Sequence, residues 1–192
     1  MPRKSWYVLA PVAVSLVALA SGTATAQTSD DGHVYYKYAT LQAEHSGKCL
    51  TMRDTMQDGP FATQSTCIKG DDRQRFRFEY ARSAEQMLML KHSGKCLSSG
   101  PDFDWNAGQR YCYDDVDVKG QKHKFGNRVW WRMPRVSVTR EVYELRPVEE
   151  LQYCLTVKEG SLEDGAPVYV GRCSETDRQR WKLEWEEPVG EE

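Results

Sequence analysis

Apolar, β-branched and aromatic residues fall in short bursts along this chain, each broken by residues that favour turns. Val34–Ala43, Met87–Leu90 and Val142–Leu145 read as strands on that composition. A second set follows at Cys49–Met52, Cys96–Ser98 and Cys154–Val157. Turn-forming stretches come next: Gln57-Asp58-Gly59-Pro60, Gly100-Pro101-Asp102 and Glu163-Asp164-Gly165. A third strand closes near a second cysteine, and Phe76-Arg77-Phe78, Trp130-Trp131 and Trp181-Lys182-Leu183 supply a fourth. Helix signals are weak throughout. Roughly twelve short strands with regular turns predict an all-β, closed architecture.

The bursts repeat in order. His-Ser-Gly-Lys-Cys-Leu occurs at His45–Leu50 and again at His92–Leu97, with a looser copy, Gln-Tyr-Cys-Leu, at Gln152–Leu155. Downstream of each stands a second cysteine, and then an aromatic flanked by basic or amide residues. These are Cys67 with Arg73-Gln74-Arg75-Phe76, Cys112 with Asn127-Arg128-Val129-Trp130, and Cys173 with Arg178-Gln179-Arg180-Trp181. Self-similarity at a spacing of roughly fifty residues means one supersecondary unit built three times. Three units of four strands fit a pseudo-threefold β-trefoil, divided at about 33–85, 86–139 and 140–187. Six cysteines allow many pairings. If each unit is built alike, the bond recurs within each, which gives disulfides Cys49–Cys67, Cys96–Cys112 and Cys154–Cys173. Loops of that size contribute roughly 3 kcal/mol each on the chain-entropy account. A zinc site lacks the close C-x-x-C pairs and matched histidines it needs, so no metal and no cofactor is expected.

The Cys-Leu start, the second cysteine and the Gln-x-Trp end, in three ordered copies, resemble the ricin B-type lectin repeat over roughly His33–Trp185. The resemblance implies a β-trefoil that binds carbohydrate, with the Gln-x-Trp aromatics Phe76, Trp130 and Trp181 packed in the barrel core. Two departures stand out. The first unit has Phe76 for Trp. The second has Arg128 for Gln and an insertion near Val116–Lys124, which is expected to be an exposed loop. The resemblance also places a sugar-binding aspartate just after Cys-Leu and an aromatic two residues before the second cysteine. This chain has Thr51, Ser98 and Thr156 at the first place and Ser65, Arg110 and Gly171 at the second.

Sugar recognition needs a flat aromatic face and polar groups aimed at hydroxyls. Tyr169 lies two residues before Gly171, so a strand presents both on one face. It is the candidate platform in the third unit, with Asp164, Arg178 and Gln179 as polar partners. Asp54, Phe61 and Gln74 are the comparable residues of the first unit. In the second, Trp105 crowds a Gly-Pro loop with Asp102 and Asp104.

Composition narrows the remaining classes. In the 192-residue chain, 26 Lys and Arg face 28 Asp and Glu, and two of the basic residues, Arg3 and Lys4, lie near the N-terminus. That balance argues against nucleic acid, whose binders carry a basic patch. Arg3 and Lys4, the apolar run Trp6–Ala20 and Ala24-Thr25-Ala26 read as a secretion leader over 1–26, too short for a membrane span of about 20 apolar residues. Residues 188–192 read as an acidic tail. No Gly-x-Ser-x-Gly or His-Glu-x-x-His motif occurs, and Asp71-Asp72 or Asp114-Asp115 cannot set two carboxyls across a cleft. The expectation is a secreted, extracellular, non-catalytic domain that binds a glycan or polysaccharide. The alternative is a protein-interaction trefoil, such as a toxin-complex subunit or inhibitor, with a protein partner instead.

Overall fold

The computed structural model describes residues 37–80, 85–112, 128–137 and 139–186. The leader, the Val116–Lys124 insertion and the acidic tail lie outside them. The first unit contains β1 Tyr38–Ala43, β2 Cys49–Met52, β3 Ala62–Ser65 and β4 Phe76–Tyr80. The second contains β5 Glu85–Leu90, β6 Cys96–Ser98, β7 Gly108–Arg110 and β8 Trp130–Arg132. The third contains β9 Val142–Tyr143, β10 Arg146–Pro147, β11 Tyr153–Val157, β12 Ala166–Arg172 and β13 Trp181–Trp185. Here β9 and β10 are one strand interrupted at Glu144 and Leu145, so the four-strand plan holds in every unit. Among the described residues no helix is long and apolar enough to cross a membrane.

First and fourth strands close a barrel by antiparallel pairing. β1 pairs β4, β4 pairs β5, β5 pairs β8, β8 pairs β10, β9 pairs β13, and β13 returns to β1. Second and third strands form the hairpins β2–β3, β6–β7 and β11–β12. This is a β-trefoil. Closure leaves the barrel without a free edge, which is how such a sheet avoids open pairing. The three disulfides form within units, with sequence separations of 18, 16 and 19 residues.

The fourth strands fill the centre with Phe76, Trp131 and Trp181, all fully buried. Trp131 Nε1 donates to Leu97 O at 2.9 Å, and Trp181 Nε1 donates to Leu155 O at 3.0 Å, so the two indoles occupy equivalent places. The expected core residue of the second unit, Trp130, is therefore corrected to Trp131. Trp130 is only partly buried, packing outside the main core with Met87, Cys96 and Val129. Strand side chains alternate, and a register error of one residue exchanges the two faces.

The repeated hexapeptide joins units to one another. Lys48 Nζ pairs with Asp164 at 2.6 Å, and Lys95 Nζ pairs with Asp58 at 2.5 Å. His45 Nε2 lies 3.0 Å from Ser161 O, and His92 Nε2 lies 3.3 Å from Thr55 O. Ser46 and Ser93 hydroxyls donate to the buried amides of Gln64 and Gln109. Those amides in turn donate to Ser161 O and Glu163 O, and to Thr55 O and Gln57 O. The first unit thus grips the turn of the third, and the second grips the turn of the first. At the remaining joint Tyr153, in the place of the lysine, stacks on Trp105 of the second unit with centroids 5.4 Å apart.

Candidate functional site

Each hairpin turns one face to the core and one outward. In β11–β12, Leu155 opposes Val170 and Val157 opposes Val168, and all four are buried. The outward face carries Thr156 opposite Tyr169, with Gly171 next along β12. A single 3₁₀ turn, Asp177–Gln179, folds onto that face. Gln179 Nε2 donates to Thr156 Oγ1 at 3.0 Å and to Arg172 O at 2.8 Å, while its Oε1 accepts from Ser174 N at 2.7 Å. Gln74 repeats this in the first unit, with Nε2 to Thr51 Oγ1 at 2.9 Å and Thr66 O at 3.0 Å. Ile68 N reaches its Oε1 at 2.8 Å. Both glutamines are buried with both ends of the amide engaged, so each fastens the turn to its hairpin. As polar groups aimed at a ligand, the sequence-based expectation for Gln74 and Gln179, they are corrected to framework residues.

What stands beside that fastening differs among units. In the first, Asp71 accepts a fork from Arg73, with Nε at 2.9 Å and Nη2 at 2.6 Å. The Arg73 hydrogen bonds hold the Asp71 carboxyl below the usual carboxylate range against a smaller opposing effect of burial. Asp54 is exposed. Phe61 is half-buried against the core, with the Arg53 guanidinium 4.6 Å from its ring centroid. In the second unit Arg110, two residues before Cys112, is buried itself. It bonds Ser98 Oγ at 3.3 Å, pairs with Asp102 and lies 4.5 Å from the Phe103 ring. Arg128 reaches the other oxygen of Asp102 at 2.5 Å. The second-unit face is filled by its own side chains. Trp105 is half-buried at the Tyr153 joint rather than free on its loop.

In the third unit the outward strand positions carry an aromatic, Tyr169. A Cβ on Gly171 would lie 2.8 Å from Tyr169 Cε2 and 3.0 Å from its hydroxyl, so the ring lies across the glycine. Tyr169 is partly exposed. Its ring thus covers Gly171, on the face where alternation along the strand puts both residues. Arg178 sits on the turn that Gln179 fastens to this face, and its Cδ would lie 3.7 Å from a Cβ on Gly160. Its Nε is buried without a hydrogen-bond partner among the described residues. Asp164 is engaged elsewhere. It takes Lys48, Thr66 N at 2.8 Å and the Thr66 hydroxyl, contacts that hold its carboxyl below the usual range and tie it to the first unit. The structure puts Tyr169 on the outer face and Arg178 on the turn that Gln179 fastens to it, and leaves Asp164 at a joint between units.

No protein-family model matches the chain, and no curated protein matches it in sequence. Solved structures do. A designed threefold-symmetric protein, ThreeFoil, is 28% identical with a TM-score of 0.63, covering 77% of this chain and 97% of that one. The Rhizoctonia solani agglutinin is 16% identical with a TM-score of 0.62, covering 80% and 98%. A ricin B-like lectin of Macrolepiota procera, solved in complex with lactose, is 14% identical with a TM-score of 0.59, covering 79% and 97%. The chain shares the β-trefoil fold of these proteins.

Proposed function

We propose that this protein binds carbohydrate through the outer face of its third unit and catalyses no reaction. The observation that carries the reading is the Tyr169 ring laid over Gly171. An aromatic face covers the apolar side of a pyranose, while groups at its rim take up hydroxyls. The first unit has Thr63 and Ser65 at the corresponding strand positions and lacks that face. Arg110 and its partner Asp102 fill it in the second. Lectin neighbours of the same fold support the reading at the level of the class. Three disulfides and the apolar leader support export to an oxidising compartment.

The test is a glycan array and polysaccharide pull-down with the oxidised full domain, repeated with Tyr169→Ala and Gly171→Ala. Tyr169→Ala removes the ring. In Gly171→Ala the new methyl displaces it, and the ring can yield because the atoms in contact are the far end of a side chain. Binding falls about tenfold or more in the first, in line with loss of an aromatic contact and its area, and less in the second. A folded wild-type sample that retains no sugar defeats the reading.

A further inference from the structure

We propose, resting on the carbohydrate reading above, that the third-unit face is specific for acidic glycans, whose carboxylate or sulfate pairs with Arg178. Two copies of one motif surround their central arginine differently. Asp72-Arg73-Gln74-Arg75 and Asp177-Arg178-Gln179-Arg180 form the same single turn, with a buried glutamine bonded to the threonine of β2 or β11. The copies differ at the residue before the turn. In the first unit that residue is Asp71, which caps the turn and neutralises Arg73 through a two-pronged contact. In the third it is Thr176, exposed and without a charge, whose hydroxyl lies 3.4 Å from Ser174 Oγ.

Arg178 is therefore left without the carboxylate its counterpart has. Asp177 pairs with Arg180 at 2.9 Å. Among the described residues neither Glu159 nor Glu175 forms an ion pair with Arg178, and its Nε is buried and unmatched. A guanidinium presents donors in a planar fork suited to carboxylate and sulfate oxygens, and such charge-assisted bonds are the stronger ones. The same unit retains the aromatic ring, on the face to which Gln179 fastens the arginine's turn. The neutral-sugar aspartate of the lectin repeat is replaced here by Thr156, whose hydroxyl is already occupied by Gln179 and Cys154 O. An arginine with no ion-pair partner among the described residues, on the turn fastened to the face that carries the ring, selects a sugar that brings its own negative charge.

The experiment titrates the oxidised domain with three oligosaccharides of one backbone: neutral, uronate-bearing and sulfated. The variants are Thr176→Asp, Arg178→Gln and Tyr169→Ala, with thermal melts alongside. Thr176→Asp is the decisive one, because Asp71 already fits that position in the first unit and the change supplies the missing neutralising group without touching the core. At least one charged ligand is expected to bind more tightly than the neutral one. Thr176→Asp and Arg178→Gln are expected to lower that affinity about tenfold or more, the range of a charged hydrogen bond, with melts that do not fall. The uronate and sulfate arms identify which anion is taken. If the neutral ligand binds equally well, dependent on Tyr169 but indifferent to Thr176→Asp, the acidic specificity is overturned and the carbohydrate reading stands. If none of the three binds and no glycan is retained on the array, both fall.

Discussion

Trp130 and Trp131 are neighbours in the chain and face opposite sides of β8, and only the second reaches the centre of the barrel. Trp131 is fully buried with its indole N–H bonded to Leu97 O, while Trp130 opposes Met87 at the periphery. Truncating a fully buried tryptophan costs about 3–5 kcal/mol, through lost burial and the cavity left behind. The truncation also leaves the Leu97 carbonyl unpaired. Trp131→Ala is therefore expected to shift the urea midpoint strongly or prevent folding, and Trp130→Ala to shift it by much less. Equal shifts in the two variants contradict the assignment of faces. The residue pattern already contains the distinction. Phe76-x-Phe78 and Trp181-x-Leu183 place apolar residues two apart, and Trp131-x-Met133 does the same. Trp130-x-Arg132 does not. The Arg-x-Trp triplet points to Trp130 instead, because the long insertion before it removes the spacing from Cys112.

At the scale of the element, the turns that precede β4 and follow β11 carry two carboxylates whose protonation differs between folded and unfolded chains. Hydrogen bonds from Arg73 hold Asp71 below the usual range, and those from Lys48 and Thr66 do the same for Asp164. A depressed folded-state pKa adds stability that is present above the unfolded value, near about 3.9, and disappears as pH falls through the folded value. Thermal midpoints recorded from neutral pH downward are therefore expected to hold until about pH 4 and then decline. Asp71→Asn and Asp164→Asn lower the neutral plateau and flatten that decline. A decline as steep as that of wild type in both variants assigns acid sensitivity to other groups. The elements themselves were legible. Cys49–Met52 and Cys96–Ser98 are strands to the residue, and Cys154–Val157 gains only Tyr153, because β-branched or apolar residues next to a disulfide suit a half-covered hairpin. The apolar pattern carries the first strand of the third unit to Leu145, but the strand breaks after Tyr143. The backbone N–H of Glu144 bonds Pro134 O, a contact outside the strand that its own apolar pattern does not report. The same limit applies to the site. Spacing along a strand put Tyr169 and Gly171 on one face. The inward turn of Gln74 and Gln179, and the engagement of Asp164 by another unit, depend on partners far away in sequence.

Across the whole molecule the three units are alike inside and unlike at their joints, and the repeated hexapeptide records which joints are alike. Its cysteine and leucine build the unit, its histidine and lysine hold the turn of a neighbour, and its serine braces the glutamine that does the same. The two lysine joints differ in depth. Lys95 is almost wholly buried under the Tyr111 ring, 3.4 Å from its centroid, whereas Lys48 is more open and its partner Asp164 is largely exposed. An exposed ion pair adds little and is screened by salt, but a buried ammonium with one carboxylate partner is a much stronger contact. Lys95→Ala is expected to cost about 2 kcal/mol, as for a hydrogen bond to a charged group. Lys48→Ala should cost clearly less, with an effect that shrinks further in high salt. The third joint has no charge to screen. Tyr153 on Trp105 is a stacked pair, reinforced by backbone bonds from Val170 N to Trp105 O and from Ala107 N to Val168 O. A double-mutant cycle on Tyr153 and Trp105 is expected to return a coupling of about 0.5–1.5 kcal/mol, independent of ionic strength. Because the barrel closes only through strands from all three units, loosening any joint lowers the midpoint of one common transition rather than releasing a unit. Separate transitions in any of these variants, read by tryptophan fluorescence and far-ultraviolet dichroism on one sample, contradict that closure.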